Sequence, residues 1–92
     1  MANQTITKDR KDFLQDVSFG VDHALARHGN QPWGRHEFYA ILKEEVDELW
    51  DAVKMDLPVA QLYEEIVQVA AVCARYAETG IMYKEWLDKP KT

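Results

Sequence analysis

Apolar residues near the start of the chain recur at three- and four-residue steps, through Phe13, Leu14, Val17, Val21, Ala24 and Leu25. That spacing lines one face of a helix, so it predicts a first helix with a single buried side. Thr7 or Thr5 is placed to cap its start, and Gly29, after Arg27-His28, to stop it. Gly20 falls inside, where it costs up to about 1 kcal/mol relative to Ala, and marks either a close helix contact or a weak point. Residues 30–34 hold a Pro and a Gly and read as a loop. A second helix is expected from Arg35 or His36 to Met55, with Phe38, Leu42, Val46, Leu49 and Val53 as a narrow apolar stripe. The break at 56–58 offers Asp56 or Leu57 as a cap, with Pro58 in the first turn of a third helix. That helix runs to Glu78, before Thr79-Gly80. Its broad face of Leu62, Ile66, Val69, Val72, Cys73 and Tyr76, with small Ala70, Ala71, Ala74 and Ala77, suits burial on more than one side. Residues 81–87 add a short C-terminal helix through Tyr83, Trp86 and Leu87, and 88–92 fray. The pattern is all-α, one domain over 1–92 with its core at about 8–80.

With 92 residues the chain suits one domain, and so short a chain buries a limited share of its apolar surface alone. The bundle is therefore expected to be completed by self-association, as a homodimer or homotetramer. A formal charge of −5 disfavours a nucleic-acid polymer as partner, because phosphate neutralisation needs a dense basic surface. Cys73 is the one cysteine, which excludes an intrachain disulfide or a multi-cysteine zinc site and points to a reducing cytoplasm. Neither a secretory apolar region at the start nor an apolar run of the ~18 residues that cross a bilayer is visible.

Acidity gathers in the second helix. At 100° per residue Glu45 lies about 60° from the centre of the apolar stripe, Glu48 about 120°, and Glu44 further round the same flank. Asp47 and Asp51 project to the other side, the ordinary solvated face. In the third helix Leu62, Val69, Val72 and Tyr76 surround Glu65 on the wheel, which puts a carboxylate at the edge of the core. Gln61 and Gln68 extend the same polar seam. Folding the two helices into a hairpin across 56–58 brings these acids together. Like charges about 4 Å apart repel by several kcal/mol at an effective dielectric near 20, and a divalent cation removes the conflict. Oxygen ligands favour Mg²⁺, Mn²⁺ or Ca²⁺. No Glu-x-x-His occurs around His23, His28 or His36, so the di-iron bundle signature is absent.

Glu44-Glu45-Val46-Asp47-Glu48 reads EExxE, and Glu65-Ile66-Val67-Gln68 follows. Over residues 33–76 the chain resembles the MazG-like, all-α nucleoside triphosphate pyrophosphohydrolase superfamily, whose pattern is EExxE and then ExxD. The resemblance implies Mg²⁺-dependent hydrolysis, with Mn²⁺ as an alternative, of a (d)NTP to monophosphate and pyrophosphate in an oligomeric helical bundle. It implies Glu45, Glu48 and Glu65 as metal ligands and Glu44 or Glu45 as the group that orients water. Gln68 stands where the pattern has Asp. Its amide oxygen can still coordinate or hold a water but brings no charge. These letters fit a variant subgroup, and equally a nucleotide- or metal-binding regulator without turnover. For substrate, Trp33 can stack on a base and Lys43, Arg75, Lys84 or His36 can meet phosphate. Against that stand Trp33 as a packing aromatic and Arg75 as an internal partner for nearby acids. A rival of another class is a non-catalytic helical interaction module whose acids only solubilise it.

Overall fold

The structure, a computed structural model, describes residues 7–29 and 33–78. They form three helices, α1 (Arg10–His28), α2 (Arg35–Lys54) and α3 (Val59–Glu78), with no strand among the described residues. The predicted short helix at 81–87 lies outside them.

Helix α1 begins two residues later than a Thr7 cap would start it and four later than a Thr5 cap. Asp9 is the N-cap: its carboxylate accepts from the Asp12 N–H at 2.8 Å, and the Asp12 carboxylate accepts from the Asp9 N–H at 3.4 Å. This reciprocal capping box satisfies two otherwise orphaned donors, which a single Thr7 hydroxyl cannot do. Gly29 ends the helix as expected, at φ 79°, with its N–H donating to the Leu25 carbonyl.

The 56–58 break works differently from its reading as a cap for α3. Asp56 adopts φ 50°, its N–H donates to Val53 and the Leu57 N–H donates to Ala52. That is a Schellman motif terminating α2, which closes α2's last carbonyls with backbone alone. Helix α3 then starts at Val59, and the Pro58 carbonyl accepts from the N–H groups of Gln61 and Leu62. Pro58 therefore sits one residue before the helix, not in its first turn.

Helix α3 is the central element. It packs against both α1 and α2, which do not pack against each other. On the α1 side Val17, Val21 and Ala71 form the core, bordered by Phe13, Leu25, Val67, Ala70 and Ala74. Gly20 is the close approach: a Cβ there would lie 3.4 Å from the Ala71 Cβ. On the α2 side Phe38 stacks on Tyr76 with ring centroids 4.2 Å apart.

The buried face of α2 is rotated from its apolar stripe. Val46 and Val53 are 42% and 47% exposed, whereas Ala52 is 2% exposed and Phe38, Ile41, Leu42, Glu45 and Leu49 are half-buried. Phe38 on Tyr76 and the small Ala52 fix this rotation. Tyr39, Val46, Trp50 and Val53 remain exposed within about 60° of arc. No described helix is long and apolar enough to cross a membrane.

Candidate metal centre

Rotation of α2 places Glu45 near the middle of the face it turns toward α3. Glu45, Glu48 and Glu65 each offer a carboxylate oxygen, all within 4.8 Å of one another. Two helices thus supply three acids, as the hairpin reading expected. Glu45 and Glu65 are half-buried and Glu48 is exposed, so the cluster has an inner wall and an open side.

One oxygen, Glu65 Oε1, is fully withdrawn from solvent and has no hydrogen-bond partner among the described residues. A buried acceptor left unmatched costs about 1–3 kcal/mol, and more when charged. Burial raises the Glu65 carboxyl above its ordinary value, reinforced by the charges of Glu48 and Glu64. Burial likewise raises Glu45, followed by the charges of Glu48, Glu65 and Glu44. The exposed Glu44 therefore acts on the cluster electrostatically from its rim. The carboxylates fit a hard cation, which would supply the missing partner and the opposing charge together.

The other sequence candidates fall into different surroundings. Gln68 is exposed and lines a small recess with Asp16, Tyr63, Glu64 and Val67. Lys43 is exposed and pairs with Asp47 at 3.2 Å, on the flank of α2 turned away from Glu48. Asp51 pairs similarly with Lys54.

Trp33 and Arg75 are both buried, 8% exposed each. The Arg75 guanidinium lies over the Trp33 ring, 4.3 Å from its centroid, and its Nη2 donates to the Gly29 carbonyl at 3.3 Å. Its partners are thus a ring and a backbone carbonyl, in place of the acids expected of an internal role. Trp33 in turn stacks near Phe38. Beside this stack opens a cavity of about 560 Å³, with Ala24 and His28 of α1 on one side and Glu37 and Ile41 of α2 on the other. Ala71, Val72 and Arg75 of α3 form its floor. Sequence periodicity had no means of finding this cavity, because it depends on the space between α1 and α2. The Arg75 position, inside an alanine-rich helix face, was the available signal.

Comparison with protein-family models, with curated proteins and with solved structures finds no match.

Proposed function

We propose that this chain is a Mg²⁺-dependent nucleoside triphosphate pyrophosphohydrolase of the MazG-like kind, acting in the cytoplasm on unwanted (d)NTPs. The observation that carries the reading is the convergence of Glu45, Glu48 and Glu65 around a buried Glu65 oxygen that has no partner among the described residues. The EExxE and Glu65-Ile66-Val67-Gln68 segments support the choice of reaction. Glu45, Glu48 and Glu65 hold the cation, with Mn²⁺ as an alternative. Bound there, the cation would neutralise phosphate oxygens and make a coordinated water more acidic.

Glu44, at the rim, or Glu45 orients the attacking water and takes its proton. The water oxygen bonds to the α-phosphorus, the bond from that phosphorus to the bridging oxygen breaks, and pyrophosphate leaves. Gln68, in its recess with Asp16 and Tyr63, brings no charge to the centre, which leaves it one negative charge short of the ExxD pattern. The chain works as a homodimer or homotetramer. Support for this comes from the exposed Tyr39, Val46, Trp50 and Val53 edge, an apolar strip of the kind that monomers rarely leave open.

The test is release of monophosphate and pyrophosphate from a panel of NTPs and dNTPs with Mg²⁺ or Mn²⁺. A Glu45→Gln/Glu48→Gln double variant serves as control. Metal-dependent release of both products by the native chain alone is expected. Metal-linked stabilisation without product would replace the enzyme with a nucleotide- or metal-binding regulator. Neither effect would leave a helical interaction module.

A further inference from the structure

The cavity between α1 and α2 lies at the end of the molecule where α3 runs out. Arg75, in its floor, is three residues from Glu78, the last residue of α3, and Val72 is six. The floor therefore extends back about 9 Å from the helix end. Ala24, Ile41, Ala71 and Val72 line it with apolar groups. A recess of this size and character is ordinarily filled, by a ligand or by another part of the protein.

The residues that follow α3 in the chain match the recess in reach, pattern and charge. Thr79-Gly80 comes directly after the helix, and glycine is the residue at which helices most readily end and the chain turns back. Next, Tyr83, Trp86 and Leu87 stand at three- and four-residue steps, the spacing of one apolar helical stripe. The seven residues 81–87 span about 10 Å as a helix, which is the length of the floor. Farther from the end of α3, the edge of α2 that borders the cavity is acidic. Glu37, Glu44 and Glu48 share that edge within about 60° of arc, while Lys43 and Lys54 point elsewhere and pair with Asp47 and Asp51. Residues 79–92 carry Lys84, Lys89 and Lys91 against Glu85 and Asp88, so a base-rich segment follows the cavity in sequence and an acidic edge follows it in space.

We infer that residues 81–87 dock in this cavity, with Tyr83, Trp86 and Leu87 against Ala24 and Ile41, and that Lys89 and Lys91 are thereby carried toward Glu44 and Glu48. The occupant is this chain's own segment because it leaves α3 one turn from the cavity floor, and two residues suffice for the reversal. The surface proposed above for a second copy lies on the opposite face. Docked in this way, 81–87 runs antiparallel to α3 and walls one end of the carboxylate centre. The inference stands independently of the metal and the reaction proposed above.

The test is a cysteine pair in the full chain, with Cys73→Ser removing the native thiol. Ala24→Cys/Leu87→Cys is expected to form an intrachain disulfide on mild oxidation, in a yield that does not change with protein concentration. The control pair, Leu14→Cys/Leu87→Cys, moves the first thiol ten residues, about 15 Å, along α1 to an exposed position and is expected to link at least fivefold less. A disulfide between two chains would give the cavity to the segment of a second copy. Equal linking by both pairs would mean that the segment samples the surface without docking, and no link in either would leave the cavity to a different ligand. Each of these three results overturns the inference. Trypsin reads the same question without engineered thiols: cutting after Lys84 is expected to be at least tenfold faster in Ala24→Phe, which fills the cavity, than in the native chain, with helical circular dichroism unchanged. Equal rates in a folded variant count against docking, and the cysteine pair decides alone if Ala24→Phe does not fold.

Discussion

At the scale of single residues, Glu65 carries a conflict that a cation would resolve. Its carboxyl and that of Glu45 are raised above their ordinary value of 4.5, first by burial and then by the charges of nearby glutamates, Glu48 foremost. A raised folded value means that the folded state holds protons more tightly than the unfolded chain. This contribution to stability is complete below pH 4.5 and is lost as pH rises through the raised values. Metal-free protein is therefore expected to lose thermal stability as pH climbs from 4.5 toward neutrality, and added Mg²⁺ to restore more of it at the upper end. Glu65→Gln removes one charge and should flatten this slope. It should also raise the metal-free midpoint at pH 7 by about 5 °C, equivalent to about 1 kcal/mol for a domain of this size, and abolish the response to Mg²⁺. Thermal melts with and without EDTA across pH 4–8 check all three. An unaltered Mg²⁺ response in the variant would remove Glu65 from the site. The three acids were legible in the sequence because helical spacing fixes which side chains share a flank. Arg75's partners were not legible, since they come from two other segments, Gly29 at the end of α1 and Trp33 ahead of α2.

At the scale of elements, helix existence and the α2–α3 hairpin followed from periodicity and from the Gly and Pro breaks. What did not follow was the rotation of α2. A stripe weighted by large aliphatic residues gives Val46 and Val53 as inward, but the contact is decided by shape. Ala52 permits close approach and Phe38 locks onto Tyr76. Turn chemistry was likewise misplaced by a residue or two, because Asp is equally at home as an N-cap and as the left-handed residue after a helix. Asp56 at φ 50° occupies a conformation that favours glycine. Asp56→Gly is expected to stabilise the chain by about 0.5 kcal/mol, and Asp56→Val to destabilise it by more, as read from urea midpoints. The reverse order would mean that the Asp56 side chain contributes more than its backbone strain costs.

For the whole molecule, one face carries the carboxylates and the cavity while the opposite face carries the apolar edge of α2. The wheel of α3 puts the exposed Val59 and Ile66 on that second face too. Association through it would leave the chemistry open. If the chain self-associates as proposed, Val46→Lys/Trp50→Lys is expected to leave a monomer in sedimentation velocity with helicity retained. A native chain that sediments as a monomer would make the apolar face something other than a self-contact. The division of labour around α3 also has a kinetic consequence. Helices α2 and α3 meet across a connection of four residues, 55–58, while α1 is joined to α2 by six, 29–34, and among the described helices packs on α3 alone, across the whole length of α2. Loop closure favours the nearer pairing, so the hairpin that assembles Glu45, Glu48 and Glu65 forms early and α1 docks onto it afterwards. A cation would then be able to bind before folding is complete and to speed it.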